Sequence, residues 1–190
     1  MAIPLTTFLT TGTYDGFDIV ERGVRGCQKR ISPAYPNFRF QHLPASNGIY
    51  NPAGAQRGDT VRFPYADNSF DFAFLTSVFT HLRPADVSHY LRELARVLEP
   101  GGTLFATAFV LDGRSDTAWL DGRPVYRFTI VDGPARYPEG IAEAAVGYDF
   151  QWLRDEIVSA GFEPPVLHAG QWDGSPNGVT YQDILVSRRS

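Results

Sequence analysis

Cysteine is nearly absent, with Cys27 the single thiol in 190 residues. That excludes an internal disulfide, and one thiol with no nearby ligand partners does not make a structural zinc site. Its simplest place is a buried or half-buried position on a helix. No apolar stretch approaches the length of a membrane span, and the first residues lack the basic flank and apolar run of a signal peptide. A cytoplasmic protein with no membrane partner is therefore expected. Positive charge is not in excess either: 17 Lys and Arg stand against 21 Asp and Glu, for a net charge of -4. With no basic cluster interleaved with aromatics, nucleic acid is not the expected partner. Repeats and low-complexity segments are also missing. A small-molecule ligand or a protein partner remains.

What is present is core-forming material, 43% hydrophobic and 14% aromatic, enough for one domain over 1–190 and too short for two ordinary ones. Thr13 to Val20 reads as a buried strand ending near Asp18, and Arg22 to Arg30 as a short helix stopped before Ser32-Pro33. A strand follows at Phe38 to His42. Pro44 to Asp59, rich in Pro, Gly, Asn and Ser, reads as a surface loop. Phe70 to Ser77, opened by the turn-forming Asp67-Asn68-Ser69, reads as a central strand. Pro84 suits the first turn of a helix whose Val87, Leu91, Leu94 and Leu98 share one apolar face. Pro100-Gly101-Gly102 stops it, and Thr103 to Leu111 is again a continuous apolar run. Strand, helix, tight turn, strand is the pattern of a right-handed parallel crossover, so the fold class is α/β with a doubly wound, mostly parallel sheet. The stretch 112–149 reads as an irregular, lid-like insertion carrying Trp119, Tyr126, Phe128, Tyr137 and Tyr148. A helix from Phe150 to Ala160 follows. Val166 to Trp172 and Tyr181 to Arg188 close the chain as an antiparallel hairpin.

The block FPYADNSFDFAFLTSVFTHLRPADVSHYLRELARVLEPGGTLFAT, from Phe63 to Thr107, resembles the strand 4, helix D and strand 5 region of class I S-adenosylmethionine-dependent methyltransferases acting on small molecules. The likeness extends upstream through GTYDGFDIV and downstream to YQDILVSRR. It implies a Rossmann-like sheet in which Asp18 would accept hydrogen bonds from the cofactor's ribose hydroxyls. In the family a strand and a Gly-x-Gly-x-Gly loop precede the strand matching Thr13 to Val20; here no glycine precedes Gly12. Where the family usually carries an acid for the adenine amino group, Pro44 stands, with neither side-chain acceptor nor N–H. The resemblance therefore implies a domain lacking its first strand, with no cofactor expected, or S-adenosylmethionine if binding survives.

His81, after the central strand at the sheet edge where such folds place ligands, is a candidate general base, with Asp18 as its companion at the end of an adjacent parallel strand. His42, Trp119, Tyr126 and Tyr148 are candidate substrate contacts. His89 reads as solvated and Asp71 as structural. Three functions stay open. One is a repurposed enzyme working without S-adenosylmethionine through His81 and Asp18. Another is an active O- or N-methyltransferase of a small molecule whose missing strand comes from another chain. The last is a noncatalytic partner of a full-length relative. The unpaired edges a missing strand would leave imply direct pairing of its neighbours or an intermolecular contact, most simply a homodimer.

Overall fold

The computed structural model describes residues 2–120, 127–139 and 144–190, the side chains of 118–120 excepted. They form two compact units, Met1–Arg57 and Gly58–Ser190.

The first unit opens with α1 (Ala2–Phe8), which leads to β1 (Tyr14–Asp18), α2 (Glu21–Arg30) and β2 (Phe38–His42). β1 and β2 run parallel in register from Tyr14 opposite Phe38 to Asp18 opposite His42. The register sets Asp15 against Arg39, whose guanidinium bonds both carboxylate oxygens at 2.8 and 2.5 Å. Phe38 is fully buried, its ring stacked on Tyr14 at 5.2 Å, with Ala2 and Ile31 completing the cluster. Cys27 is half-buried on α2, as expected. Past β2 the chain folds on itself, Gln56 N–H donating to Pro44 O and Ser46 N–H to Gln56 O.

The second unit is built on a seven-stranded sheet. β3 (Phe70–Leu75) is followed by a 3-10 turn at Phe79–His81, α3 (Pro84–Val97) and β4 (Leu98–Leu111). α3 starts at Pro84, where a missing N–H costs nothing, and Asp86 accepts the Arg83 N–H at 3.3 Å. Its Val87, Leu91 and Leu94 are buried, and it packs on β4 and on α5 (Phe150–Ser159). β3 lies parallel to β4, as the crossover pattern requires. After β4 come α4 (Gly113–Leu120), β5 (Ile130–Asp132), β6 (Ala135–Tyr137) and β7 (Gly147–Asp149); after α5 come β8 (Val166–His168) and β9 (Asp183–Arg188). The strand order is β5-β6-β7-β4-β9-β8, with β3 also on β4. β9 is antiparallel to both β4 and β8, so the expected C-terminal hairpin is present and sits within the sheet.

Three expectations are corrected. The described residues of the stretch 112–149 are not irregular: they hold α4 and three short strands, and β7 joins the sheet parallel to β4 through Phe109 to Leu111. β1 and β3 do not pair directly, for they belong to separate sheets. His89 is not merely solvated, since its Nε2 lies 2.7 Å from Val61 O and ties α3 to the segment before β3. Among the described residues no helix is long and apolar enough to cross a membrane.

Candidate functional site

Asp18 ends β1, and the chain must turn there to enter α2. Its Oδ1 accepts the Val20 N–H at 2.8 Å, while its own carbonyl accepts the Leu43 N–H from beyond β2 at 3.0 Å. Those bonds hold the carboxylate at the carboxyl end of the parallel pair, where open α/β sheets bind ligands. The group is exposed, and Oδ2 takes no hydrogen bond among the described residues. It retains acceptor capacity for two hydroxyl donors. His42, its register partner, is exposed and has Nε2 3.2 Å from Ile19 O. The structure thus brings Asp18 and His42 together.

His81 lies in the other unit, half-buried in the 3-10 turn after β3. Because β1 and β3 are in different sheets, the idea that Asp18 and His81 end adjacent strands of one sheet is corrected. The neighbouring Thr80 is fully buried, and its Oγ1 has no hydrogen-bond partner among the described residues. Thr80 O accepts the Val146 N–H, tying this turn to the residue before β7. Tyr148 is also fully buried, its hydroxyl donating to Leu82 O at 2.5 Å and its ring stacked on Trp152 at 5.4 Å. Burial pushes its phenol well above the ordinary range, aided by Tyr137 and Asp86. Tyr148 is therefore a core residue that pins the His81 turn, not a pocket wall, because a side chain with no exposed surface cannot touch a ligand from solvent. The backbone of Trp119 belongs to α4, and its side chain, like the whole of Tyr126, lies outside the described residues.

Sequence reasoning missed a buried carboxylate. Asp183, at the start of β9, is fully buried; Oδ1 accepts Gly170 N–H at 2.8 Å and faces Arg114 at 3.4 Å, while Oδ2 accepts Val110 N–H and Trp172 Nε1–H at 2.9 and 2.5 Å. Burial opposes the charge on Arg114, but Asp112, Asp183 and Asp173 outweigh it and raise its pKa. Beside this hub Phe109, Phe128 and Trp172 pack ring against ring, each buried. An acid opening an apolar strand in TYQDILVS was the one available signal. No group of three or more His, Cys, Asp or Glu among the described residues is placed to hold a metal ion.

A last strand, β9, set antiparallel between β8 and the β4 of a parallel β-α-β crossover, with an acid at the carboxyl end of β1, defines the class: a methyltransferase-type α/β fold. Residues 5–106, more than half of the chain, match the family model described as "Methyltransferase domain", and the chain belongs to that family, the class I S-adenosylmethionine-dependent methyltransferases. It is 32% identical over 103 residues to phthiotriol/phenolphthiotriol dimycocerosates methyltransferase 1 of Mycobacterium ulcerans, covering 54% of this chain and 31% of that protein. To the demethylmenaquinone methyltransferase of Beutenbergia cavernae it is 27% identical over 129 residues, covering 67% of this chain and 49% of the relative. The chain thus spans less than half the length of either. Among solved structures, an S-adenosylmethionine-dependent methyltransferase of Methanosarcina mazei superposes with a TM-score of 0.60 at 16% identity, over 100% of this chain and 86% of that one. This last likeness concerns the fold.

These relatives do not support the expectation that no cofactor binds and that the fold has been repurposed to work without one, and stand nearer to an active methyltransferase. Nothing in them supports that loss. The residues present fit one part of the cofactor. Asp18 offers the open acceptor a ribose diol requires, whereas Pro44 brings neither a side-chain acceptor nor an N–H.

Proposed function

We propose that this chain carries out S-adenosylmethionine-dependent methyl transfer to an oxygen or nitrogen of a small molecule. The observation that carries the reading is the Asp18 carboxylate, anchored through Oδ1 at the carboxyl end of β1 with Oδ2 open. Asp18 would hold the ribose hydroxyls; the bound cofactor supplies a methyl group on a cationic sulfur. In the first unit His42, the register partner of Asp18, would stand beside the ribose; in the second, His81, at the carboxyl edge of its own sheet, would serve as a general base. The buried Tyr148 keeps the His81 turn in place through Leu82 O.

The relatives' names, which give phthiotriol dimycocerosates and demethylmenaquinone, favour an acceptor that is neither protein nor nucleic acid. β1 pairs only with β2, and β3 only with β4, among the described strands, so each retains an edge for a further strand. We assign such a strand, together with the glycine-rich turn of the family, to a partner chain. A second copy of the chain or a full-length relative would serve.

Calorimetric titration with S-adenosylhomocysteine tests the reading. Saturable binding is expected, and Asp18→Ala should weaken it about tenfold or more through loss of charge-assisted hydrogen bonds. Equal affinity of the two proteins would remove Asp18 from the site, and no binding by the wild-type chain would count against methyl transfer by these residues.

A further inference from the structure

Three polar side chains from three neighbouring strands or their ends meet on the face of β4 that bears Thr107 and Phe109. Ser77, just past β3, has φ +56°, a left-handed conformation that a residue other than glycine adopts only where its surroundings compel it. There its N–H donates to Thr107 Oγ1 at 2.8 Å. Having accepted that proton, the Thr107 hydroxyl donates its own to Gln182 Oε1 at 2.6 Å, and the Ser77 hydroxyl donates to the same oxygen at 3.1 Å. With Oε1 placed to take both hydroxyl protons, the amide turns its Nε2 away from them. Gln182 Nε2, on a half-buried side chain, is left with its donors unspent among the described residues.

The main chain around Gln182 is held as closely. A Cβ on Gly170 would stand 2.5 Å from the Gln182 carbonyl carbon and from Tyr181 O, so only glycine lets the two segments touch. Thr180 Oγ1 donates to Gln182 O at 2.6 Å, and the next residue is the buried Asp183. On the other side Tyr181, 55% exposed, meets Phe109 edge to face at 6.2 Å. An exposed ring thus adjoins a pinned amide whose acceptor is used up.

We infer that Gln182 is a substrate-positioning residue whose amide N–H groups donate to a carbonyl or phenolic oxygen of an aromatic small molecule lying against Tyr181. The inference rests on the methyltransferase reading and adds to it a substrate class. A donor fixed before binding loses little freedom on binding, and an aromatic face beside it supplies apolar contact. A group that could only donate would find no acceptor on Gln182, because Oε1 already serves Thr107 and Ser77.

The probe is 4-hydroxyacetophenone, a ring bearing both kinds of oxygen, titrated into the full chain with side-chain amides labelled with nitrogen-15. Binding in the millimolar range suits so small a ligand, and the Gln182 Nε2 signals should shift along the saturation curve. Gln182→Glu, which replaces the donors by acceptors, should weaken binding about tenfold. Thr107→Val, which frees the amide to turn, should weaken it less, with both melting temperatures followed as a check on folding. Silent Gln182 signals at saturation, or unchanged affinity in a folded Gln182→Glu protein, would overturn the inference. So would absence of wild-type binding up to about 20 mM probe. S-adenosylhomocysteine binding, measured in parallel, separates the two readings. Probe binding that depends on Gln182 without S-adenosylhomocysteine binding retains this site and removes methyl transfer; the reverse result removes only this site.

Discussion

Asp183 shows what one buried side chain can organise. Its two oxygens receive the backbone of β4 at Val110, the loop at Gly170, the Trp172 indole and the Arg114 guanidinium, so one carboxylate joins four pieces of the second unit. A carboxylate is needed because every partner is a donor. Asp183→Asn would turn an NH2 toward one of those donor pairs, and the expected cost is about 3 kcal/mol. Urea unfolding followed by Trp172 fluorescence checks this; a loss under about 0.5 kcal/mol would mean the partners rearrange freely. Sequence reading placed Asp18 and His42 at the ends of their strands, where they lie, because such positions are legible from the pattern. It missed Asp183 because an acid buried at a strand's start is betrayed only by donors 11, 13, 69 and 73 residues away in the chain. Tyr148 was misplaced for a related reason: an aromatic in a segment rich in Gly and Pro looks like a cover until its strand is seen to pair with β4.

At the scale of elements, α3 acts as a clamp as well as a crossover. Glu93 accepts the Phe63 N–H at 2.7 Å and both Arg96 contacts at 2.8 and 2.7 Å; Arg96 in turn bonds Phe63 O, Tyr65 O and Asp67. The pair thereby fixes the approach to β3. Burial alone would raise the Glu93 pKa, but Arg96 and the Phe63 N–H lower it below the ordinary 4.5. A carboxylate whose pKa is lower folded than unfolded stabilises the protein above the unfolded value and loses that contribution as pH falls through the folded one. Wild-type stability should therefore decline below about pH 4.5. Glu93→Gln should be less stable by about 1 kcal/mol at pH 7 and lack this part of the decline. Parallel pH curves of melting temperature for the two proteins would remove the clamp. α2, β2 and α3 were legible to within a residue, since sustained periods and turn residues bound them. β4 begins five residues earlier than its apolar run suggested, at Leu98 instead of Thr103. Gly101 takes φ +81° and pairs its N–H with Arg189 O, so chain far away makes strand of a segment that reads as a turn. The three-residue β5, β6 and β7 carry too few residues for any period, and their pairing decides their structure.

For the whole molecule, the two units differ in the means of their own stability. A two-stranded sheet with a single helix pair buries little, whereas the seven-stranded sheet is covered by α3 and α5. Native-state hydrogen exchange should find the β1 and β2 amides, Phe40 for example, at least about tenfold less protected than Ala106 of β4 or Leu185 of β9. Equal protection across both sheets would mean that the units open only together.

The placement of β9 bears on how the molecule is made. β8 precedes β9 in the chain, yet β9 lies between β8 and β4 in the sheet. A polypeptide emerging from the ribosome amino end first therefore presents β8 before the strand it must pair with exists outside the tunnel. Until Asp183 to Arg188 arrive, β4 keeps one edge open along Thr103 to Ala108, and the Asp183 hub has no carboxylate. Assembly of this sheet is thus postponed to the latest part of these 190 residues to be translated, and the interval before it is when the nascent chain exposes an apolar strand edge to neighbours and chaperones.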